Sequence, residues 1–291
     1  MSDSLVIPSR FCGPPGSGNG GYVCGRIAAY LDGPVTVTLR RPPPLATSMT
    51  VERDGTGSIR VLAGSMLIAE AAPSPDSPAL QIPAPVSTAQ ARAVAGLGRY
   101  YADPFYPTCF VCGTSRRPGD GLRIFPGPVA GRPLWAAPWT PDPSVVNGSG
   151  KVRPEVVWAA LDCPSGIAAA EAVGLPSDSA ILLGRMTASL AALPAAGDQC
   201  RVIAWPDRCD GRKLTASSAL LGPGGHVLAA ARAVWLTVPR PVPPPAVPDH
   251  PAVPARTPPG RGPTGSHRTT ATTAENMPLP RPQKVGCRGP G

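Results

Sequence analysis

Between Val152 and Glu171 the chain reads VRPEVVWAALDCPSGIAAAE, long enough for a helix of about five turns by the rise per residue. Val156, Val157, Trp158, Ala159, Ala160, Leu161, Cys163 and Ile167 leave that helix no polar side wide enough to face water. A helix that is apolar all round belongs in the middle of a domain. Asp162 nevertheless stands at its centre, and a lone buried carboxylate is costly unless it is paired, protonated or chemically employed. Pro164 removes a backbone donor two residues later, which predicts a kink or a break beside the acid.

An earlier stretch has a weaker version of the same pattern. A Gly-rich run, residues 11–21, leads into a predicted helix near Gly20–Leu31, with Val23, Ile27, Ala28 and Leu31 at helical spacing and Asn19 or Ser17 available as its cap. Strand-like runs follow at Val35–Arg40, Met49–Arg53, Ser58–Ala63 and Met66–Ala71, with Asp54-Gly55 marking a hairpin turn. After a Pro/Ser-rich stretch and a short helix at Thr88–Leu97 comes an aromatic loop, Tyr100–Pro128, that carries Cys109-Phe-Val-Cys112. Leu134–Thr140 reads as a strand. Beyond the buried helix, strands are expected at Ala180–Ala191, Gln199–Trp205, Lys213–Leu221 and Val227–Val238. The order helix then four strands thus occurs twice, an internal repeat of α+β type with its helices segregated to one face. The expected boundaries are 1–85 for the first repeat, 86–108 for a linker, 109–239 for the second repeat and 240–291 for a tail.

Composition alters this picture mainly at the C-terminus. The net charge is +9, but seven basic residues against two acidic ones from Arg240 onward leave +5 of it there. That tail is Pro-rich and without apolar periodicity, so it is expected to be disordered. The remaining charge is too diluted, and aromatic residues at 5% too few, for a nucleic-acid surface on the folded part. Neither a secretory signal nor an apolar run of membrane-spanning length is visible, so the expectation is a cytoplasmic protein with reduced cysteines and no membrane partner.

Few residues offer chemistry. The three histidines are His226, His250 and His267, two of them in the tail, so a Ser-His-Asp triad is not credible. GPPGSGNGG lacks the Lys-Ser/Thr of a phosphate loop and the strand that precedes a dinucleotide motif. Cys109 and Cys112 have the spacing of half a zinc site, but no second pair follows at finger-like distance, so a packed turn is expected there and no metal or other cofactor.

Cys109-Phe-Val-Cys112-Gly113 followed by Gly119-Asp-Gly-Leu122-Arg123-Ile124 resembles the CFxCG…GL opening of hot dog thioesterases of the PaaI-like group. Asn19-Gly20-Gly21 resembles the His-Gly-Gly that opens the hot dog helix in that group, and Leu161-Asp162 resembles its Leu-x-Asp nine residues on. The resemblance covers about 11–238. It implies a double hot dog, two antiparallel sheets each wrapping a central helix, acting on acyl-CoA or acyl-carrier-protein thioesters, with a homodimer as the expected assembly. It also implies a helix N-terminal amide as oxyanion donor and an acid that activates water, which suits the unpartnered amides and positive dipole at such a terminus. Mapped onto this chain, Gly20 and Asp162 make one complete site, whereas Pro154, without an N–H, and Ala28, without a carboxylate, make none.

Each of these residues has a plainer reading beside the functional one. Asp162 either serves catalysis or caps the backbone that Pro164 frees. Asn19 and Gly21 either meet substrate or simply begin a helix. Ser165 positions water or satisfies backbone, and Arg123, with Arg116 and Arg117, meets coenzyme A phosphates or is solvated. A non-catalytic acyl-CoA-binding or scaffold protein is the alternative to a hydrolase.

Overall fold

The computed structural model describes residues 3–55, 57–74 and 80–240; the expected disordered tail lies outside them, apart from Arg240. In chain order the elements are β1 (Asp3–Val6), α1 (Gly20–Ala28), β2 (Val35–Leu39), β3 (Ser48–Arg53), β4 (Ile59–Ala63), β5 (Met66–Pro73), α2 (Thr88–Val94), β6 (Gly127–Pro128) and β7 (Trp135–Trp139). Then come α3 (Pro154–Ala172), β8 (Ser179–Leu190), β9 (Cys200–Asp210), β10 (Lys213–Leu221) and β11 (Val227–Pro239).

The expectation of two sheets, each wrapping a helix, is corrected. All the strands join in one antiparallel 11-stranded sheet, ordered β1-β3-β4-β5-β2-β8-β11-β10-β9-β7-β6. The seam is the pair β2–β8, with Val35 opposite Ala188, Thr36 opposite Thr187, Val37 opposite Met186 and Thr38 opposite Arg185. An unpaired edge leaves a row of unsatisfied backbone groups, and joining the two inner edges removes both rows. Side chains reinforce the seam: the Thr36 and Thr187 hydroxyls meet at 2.7 Å, and Arg185 Nε donates to Thr38 Oγ1 at 3.0 Å. Outward from the seam the strands run β2-β5-β4-β3 on one side and β8-β11-β10-β9 on the other, the same order in both halves. Period-2 patterning tells which side of a strand is buried, but not which edge it meets.

α3 packs on β8 to β11, α1 on β2 and β8, and the two helices pack on each other. Nearly all of α3 is buried, as its unbroken apolar surface requires. The helix also continues through Pro164 rather than breaking there. Hydroxyls bond neighbouring carbonyls in that turn: Ser218 on β10 donates to the Leu161 carbonyl at 2.7 Å and Ser165 to the Asp162 carbonyl at 2.8 Å. β1 escaped the sequence reading, because a four-residue edge strand with one buried side chain, Leu5, has too short a pattern to register.

Candidate functional site

Asn19 caps α1. Its Oδ1 accepts from the Tyr22 amide at 2.9 Å, which leaves its Nδ2 hydrogens to point elsewhere. The cap is anchored from outside the helix: the Phe11 ring stacks on Tyr22 at 3.8 Å, Phe110 meets Phe11 edge-on at 4.9 Å, and the Asn19 amide donates to the Phe11 carbonyl at 2.8 Å. The loop carrying Cys109 to Cys112 is tied to the same place, with the Phe110 amide donating to the Cys12 carbonyl at 2.8 Å.

Asp162 reaches this helix start from α3. Its Oδ2 accepts from the Gly21 amide at 2.9 Å and from Asn19 Nδ2 at 3.0 Å, across 141 and 143 residues of chain. The carboxylate is 1% exposed, and its Oδ1 has no hydrogen-bond partner. Burial disfavours the charged form and pushes the carboxyl up to about 7, against the opposing bond from the Gly21 amide.

Glycine permits the approach. A Cβ on Gly21 would lie 2.4 Å from Asp162 Cβ and 2.7 Å from the Trp158 carbonyl oxygen, and one on Gly25 would lie 2.6 Å from Glu155 Cα. Advancing along α1 from Gly21 to Gly25 thus retreats along α3 from Asp162 to Glu155, so the helices cross antiparallel with a glycine every fourth residue at the contact.

The structure therefore brings Asn19, Gly20, Gly21 and Asp162 together, though it is Gly21, not Gly20, that binds the carboxylate. The Gly20 amide opens α1 and has no intrahelical acceptor, and a Cβ at Gly20 would lie 2.8 Å from the Leu183 side chain. Ser165 is spoken for: it donates to the Asp162 carbonyl and accepts from Trp235 Nε1 at 3.0 Å. Arg123 is held away in its own loop, with φ +53°, bonded to the Arg116 carbonyl and set over the Phe125 ring. It lines a cavity of about 180 Å3 with Leu122, Trp139 and Asp142, and Asp162 is not among that cavity's walls.

Sequence reasoning took Cys109 and Cys112 for a packed turn and did not connect Cys163 with them. Cys109 and Cys163 sulfurs are 3.6 Å apart, and Cys112 joins them with all three sulfurs within 4.8 Å of one another. Adjacency to Asp162 was the available signal for Cys163; nothing linear connects it to a CxxC 51 residues earlier.

A helix pair cradled by one long antiparallel sheet is the arrangement of a hot dog fold. No protein-family model and no curated protein matches the sequence. Solved structures match the fold. The tesB protein of Mycobacterium avium subs paratuberculosis is similar at 12% identity and TM-score 0.52, over 81% of this chain and 92% of that one. A candidate thioesterase II from Thermobifida fusca is similar at 13% and 0.52, over 80% and 92%. A hot dog protein from Alicyclobacillus acidocaldarius is similar at 11% and 0.50, over 82% and 93%. At such identities the likeness is one of fold. Among the described residues no helix is long and apolar enough to cross a membrane.

Proposed function

We propose that the chain is a thioester hydrolase acting on acyl-CoA or acyl-carrier-protein substrates. The observation that carries this reading is the Asp162 carboxylate, buried and lodged at the N-terminus of α1 with Oδ1 uncommitted. Oδ1 takes a proton from water as that water attacks the thioester carbonyl. The Gly20 amide, at the positive end of the helix dipole, receives the developing oxyanion. The tetrahedral adduct then collapses with cleavage of the C–S bond, and the proton held on Asp162 passes to the leaving sulfur, so that a carboxylic acid and a free thiol are released. Asn19 holds the acid in place by the bond from Nδ2, and Gly21 does the same from the backbone. The reacting centre belongs to one end of the helix pair only, since Pro154 supplies no N–H and Ala28 no carboxylate at the other. The candidate thioesterase II of the same fold supports the reaction class.

One observation favours a second reading, acyl-thioester binding without turnover: Asp162 already closes on the Gly21 amide and is almost wholly buried. The two readings separate in a hydrolysis screen over short, long and aromatic acyl-CoAs with Asp162→Asn as the control. Loss of a general base lowers the rate by about 10²- to 10⁴-fold. An Asp162→Asn protein as active as the parent removes the mechanism. A parent that binds a non-hydrolysable thioether analogue but turns over nothing in the panel makes the chain a binding protein.

A further inference from the structure

We propose that Cys109, Cys112 and Cys163 form a binding site for a thiophilic divalent cation of the zinc class, built between the 109–113 loop and α3. The three sulfurs lie within 4.8 Å of one another, with Cys109 and Cys163 at 3.6 Å. A zinc ion about 2.3 Å from each thiolate sets neighbouring sulfurs about 3.8 Å apart in a tetrahedron, so the cluster needs only small adjustments to close on one. Three sulfurs cannot all pair with one another as disulfides, whereas one cation uses all three.

The surroundings suit thiolates. Asn19 Nδ2 lies 3.6 Å from Cys163 Sγ and 3.8 Å from Cys109 Sγ, and the Tyr100 hydroxyl lies 3.4 Å from Cys112 Sγ. The Asn19 amide, with one hydrogen already given to Asp162, shares its other between Cys109 and Cys163, and Tyr100 serves Cys112, the kind of outer support that ligand sets require. The loop is also tightly wound: the Gly113 amide donates to the Cys109 carbonyl at 2.9 Å, and a Cβ at Gly113 would lie 2.3 Å from that oxygen. The three sulfurs lie in the protein interior, and three thiolates leave the fourth position of a tetrahedron to water. Bound there, the cation pins the loop to α3 one residue from Asp162. Its role is to hold the site's architecture, and it takes no part in the hydrolysis proposed above.

The test is metal content and cobalt spectroscopy on the reduced full-length chain, loaded with zinc or with Co(II) in the absence of oxygen. Stoichiometric zinc and intense thiolate-to-cobalt absorption in the parent are expected. The absorption should collapse in Cys112→Ser and in Cys163→Ser and survive in Cys12→Ser, whose thiol lies outside the cluster. A parent chain without bound metal and without that absorption overturns the proposal, whether or not the variants fold. So does an unchanged spectrum in both ligand variants. Asp162→Asn should keep its metal even where it loses hydrolysis, and loss of the metal there would overturn the three-cysteine ligand set. Failure of the hydrolase reading shows as absent turnover in a metal-loaded parent, a different result from absent metal.

Discussion

Replacing Gly21 by Ala pits two physical effects of opposite sign against each other. In the interior of an exposed helix the change stabilises by about 1 kcal/mol, because Ala is the best helix former and Gly among the poorest. In α1 the added methyl would sit 2.4 Å from Asp162 Cβ and 2.7 Å from the Trp158 carbonyl oxygen. Neither obstacle is the loose end of a flexible side chain, so the helices must separate. Overpacking of this kind costs about 1–3 kcal/mol. Separation also stretches the Gly21 amide bond to Asp162, and a buried acceptor left short of its donor costs about 1–3 kcal/mol more. With the propensity gain subtracted, the net loss is about 1–5 kcal/mol. Urea denaturation followed by Trp fluorescence measures it directly. In thermal melts each kcal/mol corresponds to about 2–4 °C for a chain of this size. Gly25→Ala, with Glu155 Cα 2.6 Å from its new methyl, should behave alike, whereas Gly148→Ala meets nothing within 4 Å and should be close to neutral. A Gly21→Ala protein as stable as the parent would refute the close helix crossing on which the site is built.

Other substitutions test the remaining contacts. Asn19→Ala removes the α1 cap, about 1 kcal/mol, and the side-chain donor to Asp162, about 1–3 kcal/mol, so a combined loss of about 2–4 kcal/mol is expected in the same denaturation assay. Ser165→Ala strands the Trp235 indole N–H and should lower stability by about 1–3 kcal/mol while hydrolysis persists; a selective loss of turnover would return Ser165 to the reacting centre. Asp162→Asn keeps a carbonyl for Gly21 and Asn19 and removes the cost of burying a charge, so its stability should stay within about 1 kcal/mol of the parent. A drop above about 3 kcal/mol would mark the charge itself as structural.

Much of the architecture was legible in linear sequence, for identifiable reasons. α3 announced itself because an apolar surface on every side has only one place to go. Asp162 stood out as the charge that such a helix cannot ignore, and Asn19-Gly20-Gly21 read correctly as a capped helix start. The strands from β2 to β5 and from β8 to β11 emerged from alternation, with β9 running on to Asp210, past the expected end at Trp205. The surroundings of Arg123 were not legible: a basic residue in a loop says nothing about which way the loop faces, and this one faces Phe125 and Arg116. Ser165 was ambiguous because a hydroxyl in a helix serves backbone or ligand with the same sequence signature.

What the chain carries by itself is the burial preference of each segment: which helix is interior, which strand side is apolar, and where one acid interrupts an apolar run. What only the folded structure decided is the choice of partner for each of these surfaces. β2 and β8 merge two halves into one sheet, Asp162 chooses the Gly21 amide over that of Gly20, and Cys163 joins a CxxC on a distant loop. The physical reason is the same in each case. Periodicity records that a group must leave water, an energy set by the group's own chemistry, whereas the contact it finally makes spans more than 50 residues and is selected by the closing of all the others.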